Sequence, residues 1–290
     1  MTAIVSEQDV VFAQAGGRDL RCDIYRPAET ARPLPAAIML HGGGWRRGSR
    51  ASLRDRAEEL AQYGFVVITP EYRLTGEARW PAHIQDAKAA LRWLRANASA
   101  QQVNPDQIAL VGFSAGAQLA LLAAGTPGMA AFNDSPGASA AAEAVNAVVA
   151  FFPPMRFQAG SERAGGDAPA SPAESLGADL TADELREASP LTHLSPHFPP
   201  TMLLHGTADE VVPAATSVEL FGILRGLGVP ADLRLYTGLR HEFVRMEGML
   251  QMSMADVALF LRRTMIDPKR FDISQAELFG APAALGGGSR

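Results

Sequence analysis

Short apolar runs alternate with amphipathic stretches along most of this chain. Residues 36–40, 65–69, 108–111, 145–152 and 201–205 are compact apolar runs bounded by glycine, proline or polar residues, and 232–237 is a less apolar echo of them. Runs without a polar face read as strands buried on both sides. Residues 49–63, 81–97, 115–124, 181–188, 214–227 and 248–265 read instead as helices. Leu53, Ala57, Leu60 and Ala61 mark one apolar stripe, and Ile84, Ala87, Leu91 and Leu94 another. Pro81 suits a first helical position, and Thr181-Ala-Asp-Glu184 is a capping box. Ahead of these lie two strands, 9–14 and 20–25, joined at Gly16-Gly17 as an antiparallel hairpin. Residues 125–144 read as loop with some helical alanine, and 153–181 are rich in Ala, Gly, Pro and Ser.

From the third strand onward, strand alternates with helix. The expected class is therefore α/β: a mostly parallel sheet of about eight strands with helices on both faces. No repeat and no linker divides the chain, so residues 1–268 read as one domain. A lid-like insertion is expected at about 153–188, after the sixth strand. Residues 269–290 read as an irregular tail, whose end, Leu285-Gly-Gly-Gly-Ser-Arg290, looks like a cloning remnant.

The centre of the pattern is Gly112-Phe113-Ser114-Ala115-Gly116, set between the run 108–111 and the small-residue helix 115–124. A G-x-S-x-G on its own is a weak signal. Between a strand and a helix it is the context of a nucleophile elbow, in which a serine sits on a sharp turn at a helix N-terminus. A serine hydroxyl needs a base within hydrogen-bond reach, and the base needs an orienting carboxylate. In this topology they follow in the order Ser, Asp or Glu, His, each after a strand. Asp209 follows the strand 201–205, and His241 follows the strand 232–237. Glu210 and Asp232 are the nearby rivals for the carboxylate. Of the six histidines, only His241 lies beyond Asp209. His193 and His197 read as surface or turn residues, His83 as partly solvated near a helix start, and His205 as support for the loop bearing Asp209.

The oxyanion formed in acyl transfer needs aimed N–H donors. Ala115 follows the nucleophile, and His41-Gly42-Gly43-Gly44-Trp45 follows the third strand. Consecutive glycines let backbone amides approach a ligand without Cβ interference. The expected donors are Gly43, Gly44 and Ala115, with His41 as a residue that locks the loop. A phosphate cradle is disfavoured because no G-x-x-x-x-G-K-[ST] is present.

Composition narrows the rest. Net charge is −5, with 47% hydrophobic and 20% charged residues. Such a chain has ample core, and its sign disfavours nucleic acid or an anionic membrane as main partner. The single Cys22 excludes an internal disulfide framework and a cysteine-rich metal site. No secretory leader or membrane span is visible, so the expectation is a cytoplasmic protein, monomer or homodimer.

Together, His41-Gly-Gly-Gly-Trp45, Glu71-Tyr-Arg-Leu74, Pro81-Ala-His-Ile-Gln-Asp86, Lys88-Ala-Ala-Leu-Arg-Trp93, Gly112-Phe-Ser-Ala-Gly116, Ser189-Pro-Leu191, His205-Gly-Thr-Ala-Asp209 and His241-Glu-Phe243 resemble the α/β-hydrolase superfamily. Within it the chain is similar to hormone-sensitive-lipase-related esterases, especially the bacterial branch that includes feruloyl and acetyl-xylan esterases. The resemblance covers roughly residues 8–265. It implies a Ser114–His241–Asp209 triad, a serine esterase mechanism with no cofactor or metal, and a small-molecule ester of short-acyl, aryl or cinnamoyl type. It also implies that Tyr72, Arg73 and Asp86 brace the oxyanion loop; a paired-carboxylate site of Glu71 and Asp86 is the alternative. Two departures stand out: Ala117-Gln118 replaces the usual Gly-His, and Glu242 replaces the usual glycine after the histidine. Competing activities are an arylformamidase-like amidase and a non-catalytic ligand-binding protein.

Candidate pocket walls are Trp45, Phe113, Phe152, Met155 and Phe157, with Phe151 and Trp80 as further lid or wall candidates; ordinary core packing is the competing reading. The short run before His41 leaves little room for an N-terminal helical cap. An open site suited to small or bulky-alcohol esters is the expectation.

Overall fold

The computed structural model describes residues 2–133, 138–157, 175–177 and 180–272. Eight strands form one sheet: β1 (Ile4–Ala15), β2 (Arg18–Pro27), β3 (Leu34–Leu40), β4 (Val66–Pro70), β5 (Val103–Phe113), β6 (Ala147–Phe151), β7 (Thr201–Gly206) and β8 (Ala231–Tyr236). Their order across the sheet is β1-β2-β4-β3-β5-β6-β7-β8. The hairpin β1–β2 and the β2–β4 pairing are antiparallel; every pairing from β4 to β8 is parallel. Strand β1 is longer than the expected 9–14 because a register shift between Glu7 and Val10 absorbs Asp9 in a left-handed conformation and pairing then continues. Such a bulge is invisible in a period-two pattern.

The helices are α1 (Arg54–Gln62), α2 (Ala82–Ala96), α3 (Ala115–Gly125), α4 (Ala140–Glu143), α5 (Ala182–Ala188), α6 (Ala215–Gly226), α7 (Met249–Leu261) and α8 (Pro268–Phe271). The expected capping box opens α5, with the Thr181 hydroxyl accepting from the Glu184 N–H and the Glu184 carboxylate accepting from the Thr181 N–H. Two cores flank the sheet. Helices α2, α3 and α6 cover one, with Ile84, Leu91, Leu119 and Leu220; helices α1 and α7 cover the other, with Leu60, Val257 and Phe260. Strand β5 feeds both by alternation: Ile108 and Leu110 face the first, Ala109, Val111 and Phe113 the second. Each fully buried aliphatic side chain contributes about 1.5–3 kcal/mol, so this central strand is fixed in register from both sides.

What the fold supplies to function is the carboxyl edge of β3, β5, β7 and β8. There the chain leaves the sheet at His41, Ser114, Thr207 and Thr237, one turn at each strand end. The expected lid lies largely outside the described residues, as does the tail beyond 272. Among the described residues no helix is long and apolar enough to cross a membrane.

Candidate active site

The elbow is held by collisions waiting on either side of it. A Cβ on Gly112 would stand 2.2 Å from the Gly116 carbonyl oxygen, and one on Gly116 would stand 2.1 Å from that of Leu40. Only glycine lets α3 begin this close to β3 and β5. Ser114 between them takes φ 53° and ψ −116°, a conformation few residues adopt and one that costs about 1–3 kcal/mol. Its N–H donates to the Phe151 carbonyl at 3.0 Å, which ties the turn to β6.

Three side chains remote in sequence meet at this point. The Ser114 hydroxyl donates to His241 Nε2 at 3.0 Å, and His241 Nδ1–H donates to Asp209 Oδ2 at 2.7 Å. The tautomer follows from the carboxylate, which can only accept. Asp209 Oδ1 accepts the N–H groups of Val211 and Val212, each at 2.8 Å, while Oδ2 also receives His205 Nε2 at 3.2 Å. Burial by itself raises the carboxyl pKa. The donors from His205, His241 and Val212 outweigh that penalty and hold it well below the usual carboxylate range. Asp209 is therefore ionised and its position is fixed from four directions. His205 is buried as expected in the support of this loop: its Nε2 also donates to the Val212 carbonyl at 2.9 Å, and Ser217 donates to its Nδ1 at 2.7 Å.

The glycine run passes alongside the serine. A Cβ on Gly42 would lie 3.3 Å from Ser114 Cβ and 2.9 Å from the Phe113 oxygen. Gly43 and Gly44 have φ of +123° and +61°, and Ala115 is the first residue of α3, whose N–H has no acceptor one turn back. The loop is braced from below. Tyr72 stacks on His41 with ring centroids 4.3 Å apart and donates its hydroxyl to the His41 carbonyl at 2.8 Å. His41 Nδ1–H donates to the Gly42 carbonyl at 2.8 Å, and burial lowers the pKa of its ring. Arg73 grips buried Asp86 in a bidentate pair, the closest contact 2.7 Å.

The alternative of a Glu71–Asp86 carboxylate pair is absent: Asp86 holds Arg73, while Glu71 holds Arg18 and Arg50 at 2.6 Å each. Other expectations change here. His83 is fully buried rather than partly solvated, because Trp80, Tyr72 and Thr75 close over the start of α2. That burial pushes its pKa down to about 4. The pocket walls are interior: Trp45, Phe113, Phe152, Met155 and Phe157 are at most 3% exposed. Phe113 alternates onto the α1/α7 side of β5 and stacks on Phe151, with Arg56 over its ring. Phe152 packs its ring 4.5 Å from that of His241 and so backs the imidazole. Trp45 donates to Gln118 at 3.1 Å and meets Phe157 edge-on. Phe157 borders a cavity of about 410 Å³ with Arg156, Arg186, Ser189 and Leu191. Met155 packs in the core beside it.

The two sequence departures acquire physical content. Gln118 bridges Trp45 to the Ala188 carbonyl, donating to the latter at 2.7 Å. Glu242 sits at φ 59°, the left-handed conformation that glycine adopts without cost. Its carboxylate meets Arg56 at 2.9 Å and Arg245 at 3.0 Å, an arrangement no local pattern announces.

The family model described as BD-FAE matches residues 22–224. The chain belongs to the BD-FAE family. Esterase LipC of Mycobacterium tuberculosis (strain ATCC 25618 / H37Rv) is 32% identical, the match covering 71% of this chain and 52% of that protein. Esterase LipQ of the same strain is 30% identical over 73% of this chain and 51% of its own length. This BD-FAE member thus spans about half the length of these relatives. Among solved structures, a thermophilic esterase from the Planctomycetes species Thermogutta terrifontis, with butyrate bound, superposes with a TM-score of 0.75 at 27% identity, covering 88% of this chain and 93% of that one. The sheet order and flanking helices are those of the α/β-hydrolase fold.

Proposed function

We propose that this BD-FAE protein is a serine carboxylesterase that hydrolyses small esters through an acyl-enzyme. The observation that carries the reading is the continuous hydrogen-bonded chain from Ser114 through His241 to Asp209, set at a strained elbow beside a glycine run. Ser114 Oγ attacks the ester carbonyl as His241 Nε2 takes its proton. Ionised Asp209 fixes the tautomer and stabilises the imidazolium. The N–H groups of Gly43, Gly44 and Ala115 receive the oxyanion, and removal of one such donor costs about 10²–10³ in rate. His241 then returns the proton to the leaving alcohol. Water, deprotonated by the same imidazole, attacks the acyl-serine and releases the acid.

The esterase relatives support the choice of ester over amide, as does the Thermogutta terrifontis esterase solved both with butyrate bound and phosphonylated by sarin. The test is turnover of 4-nitrophenyl acetate and butyrate by Ser114→Ala, with formyl anilides assayed in parallel. Loss of at least about 10³-fold on the esters, with the circular-dichroism spectrum unchanged, is the expected outcome. Undiminished ester hydrolysis by the variant overturns the triad, and faster turnover of formyl anilides than of esters overturns the substrate class.

A further inference from the structure

We infer that Glu242 and Arg56 form a clasp that positions the catalytic base, built at the position where the family resemblance leads one to expect glycine. The inference rests on the esterase reading above. His241 stands on the connection between β8 and α7, just ahead of a single 3-10 turn at Phe243–Arg245. The next residue, Glu242, is held at φ 59° and ψ 24°, a region a side-chain-bearing residue occupies only when its surroundings impose it. Both ends of the residue are held. Its carbonyl accepts the Arg245 N–H at 2.9 Å, and its Oε2 accepts from Arg56 Nη2 at 2.9 Å and from Arg245 Nε at 3.0 Å.

The two arginines are not equivalent. The Arg245 side chain is 64% exposed, so its pair is screened by water. The Arg56 side chain is 6% exposed, and burial lowers its pKa below the ordinary arginine range although it stays charged. It lies over the Phe113 ring at 4.7 Å, donates from Nη1 to the Ser52 carbonyl at 3.0 Å, and buries Nε without an acceptor among the described residues. A guanidinium held this firmly is a fixed post on α1. Glu242 is the tether from that post to the His241 loop.

The tether ends beside the reacting groups. A Cβ on Gly42 would lie 3.3 Å from Glu242 Oε1 and 3.3 Å from Ser114 Cβ, so the carboxylate and the serine both face the space that glycine leaves open there. The clasp therefore links α1 to the base-bearing loop, alongside the glycine run. On the other side of the imidazole stand Asp209 and His205 from β7 and its loop, and Phe152 from the end of β6. Those fix where Nδ1 points. The clasp fixes how far the loop can swing away from Ser114.

The test uses Glu242→Gly, Glu242→Gln and Arg56→Met in the full chain, with kcat and KM for 4-nitrophenyl acetate and the rate of Ser114 labelling by a fluorophosphonate. Glycine accepts the left-handed backbone, so Glu242→Gly should fold and lose the tether alone. Its kcat and its labelling rate should fall together by about 10-fold, within the range that misplacement of a catalytic group produces, with KM changing less than about threefold. Glutamine keeps an acceptor oxygen for Arg56 and should restore kcat to within about threefold of the parent. Arg56→Met should match Glu242→Gly, and the double variant should be no worse than either single one. A Glu242→Gly kcat within about twofold of the parent, or a change in KM alone, overturns the clasp. Losses that multiply in the double variant overturn it as well. Activity surviving Ser114→Ala would instead overturn the esterase reading, which none of these outcomes does.

Discussion

Two loops converge on Ser114, and they are braced by opposite means. Beneath the glycine run lies a neutral stack, His41 on Tyr72, in which burial disfavours the charged imidazole and holds the phenol far above its ordinary pKa. Behind the His241 loop lies a charged cluster, Arg56, Glu242 and Arg245, half buried and half wet. The contrast teaches that two loops serving one serine can be vulnerable to different conditions. A neutral buried brace ignores salt and fails when protonated; an ionic brace weakens at its exposed end as salt rises.

The most severe way to break the comparison is on the neutral side. Gly48 has φ +106°, and a Cβ there would lie 2.4 Å from the Gly42 oxygen and 2.5 Å from His41 Nδ1. Gly48→Ala should displace the whole glycine run and lower kcat/KM by about 10²-fold or more, read on 4-nitrophenyl acetate. Next comes acid. His83, beneath the same loop, is held neutral by burial with a pKa of about 4. Its folded pKa lies below its unfolded one, so the folded state binds fewer protons between about pH 6.5 and 4, and stability is lost as pH falls through that window. The loss amounts to at most about 3 kcal/mol, and urea midpoints measured from pH 7 to 4 should fall less steeply in His83→Gln. Tyr72→Phe leaves the buried His41 carbonyl without its donor and should cost about 1–3 kcal/mol at any salt concentration. Smallest is Arg245→Gln on the ionic side: less than about 1 kcal/mol in low salt, vanishing in 1 M NaCl.

The same contrast explains how much could be read from the chain. The elbow was legible because Gly112, Ser114 and Gly116 are local, and glycine is dictated at the two flanks by the 2.1–2.2 Å clash a Cβ would meet there. Asp209 and His241 were legible from the order of strands, since each follows the apolar run that carries it to the sheet edge. The neutral brace was legible through resemblance, as Tyr72 and His41 stand in recognisable motifs. The ionic brace was not: Arg56 and Glu242 lie far apart in the chain, and nothing near Arg56 marks it as buried. The missing glycine at 242 was its one trace. The side of the sheet on which Phe113 falls was hidden for a related reason. Aromatics close to the nucleophile in sequence, such as Phe113, fall on whichever face the strand's alternation assigns, and here that is the core under α1 and α7.

The central claim is that Ser114 is a nucleophile made so by His241. Its most direct measurement is intact-protein and peptide mass spectrometry after brief exposure to a fluorophosphonate, comparing the parent with His241→Ala. The account predicts a single adduct on the Ser114 peptide of the parent, with labelling of the variant slowed by at least about 10²-fold. Equal labelling of Ser114 in both proteins, or an adduct on another residue of an active parent, would contradict it.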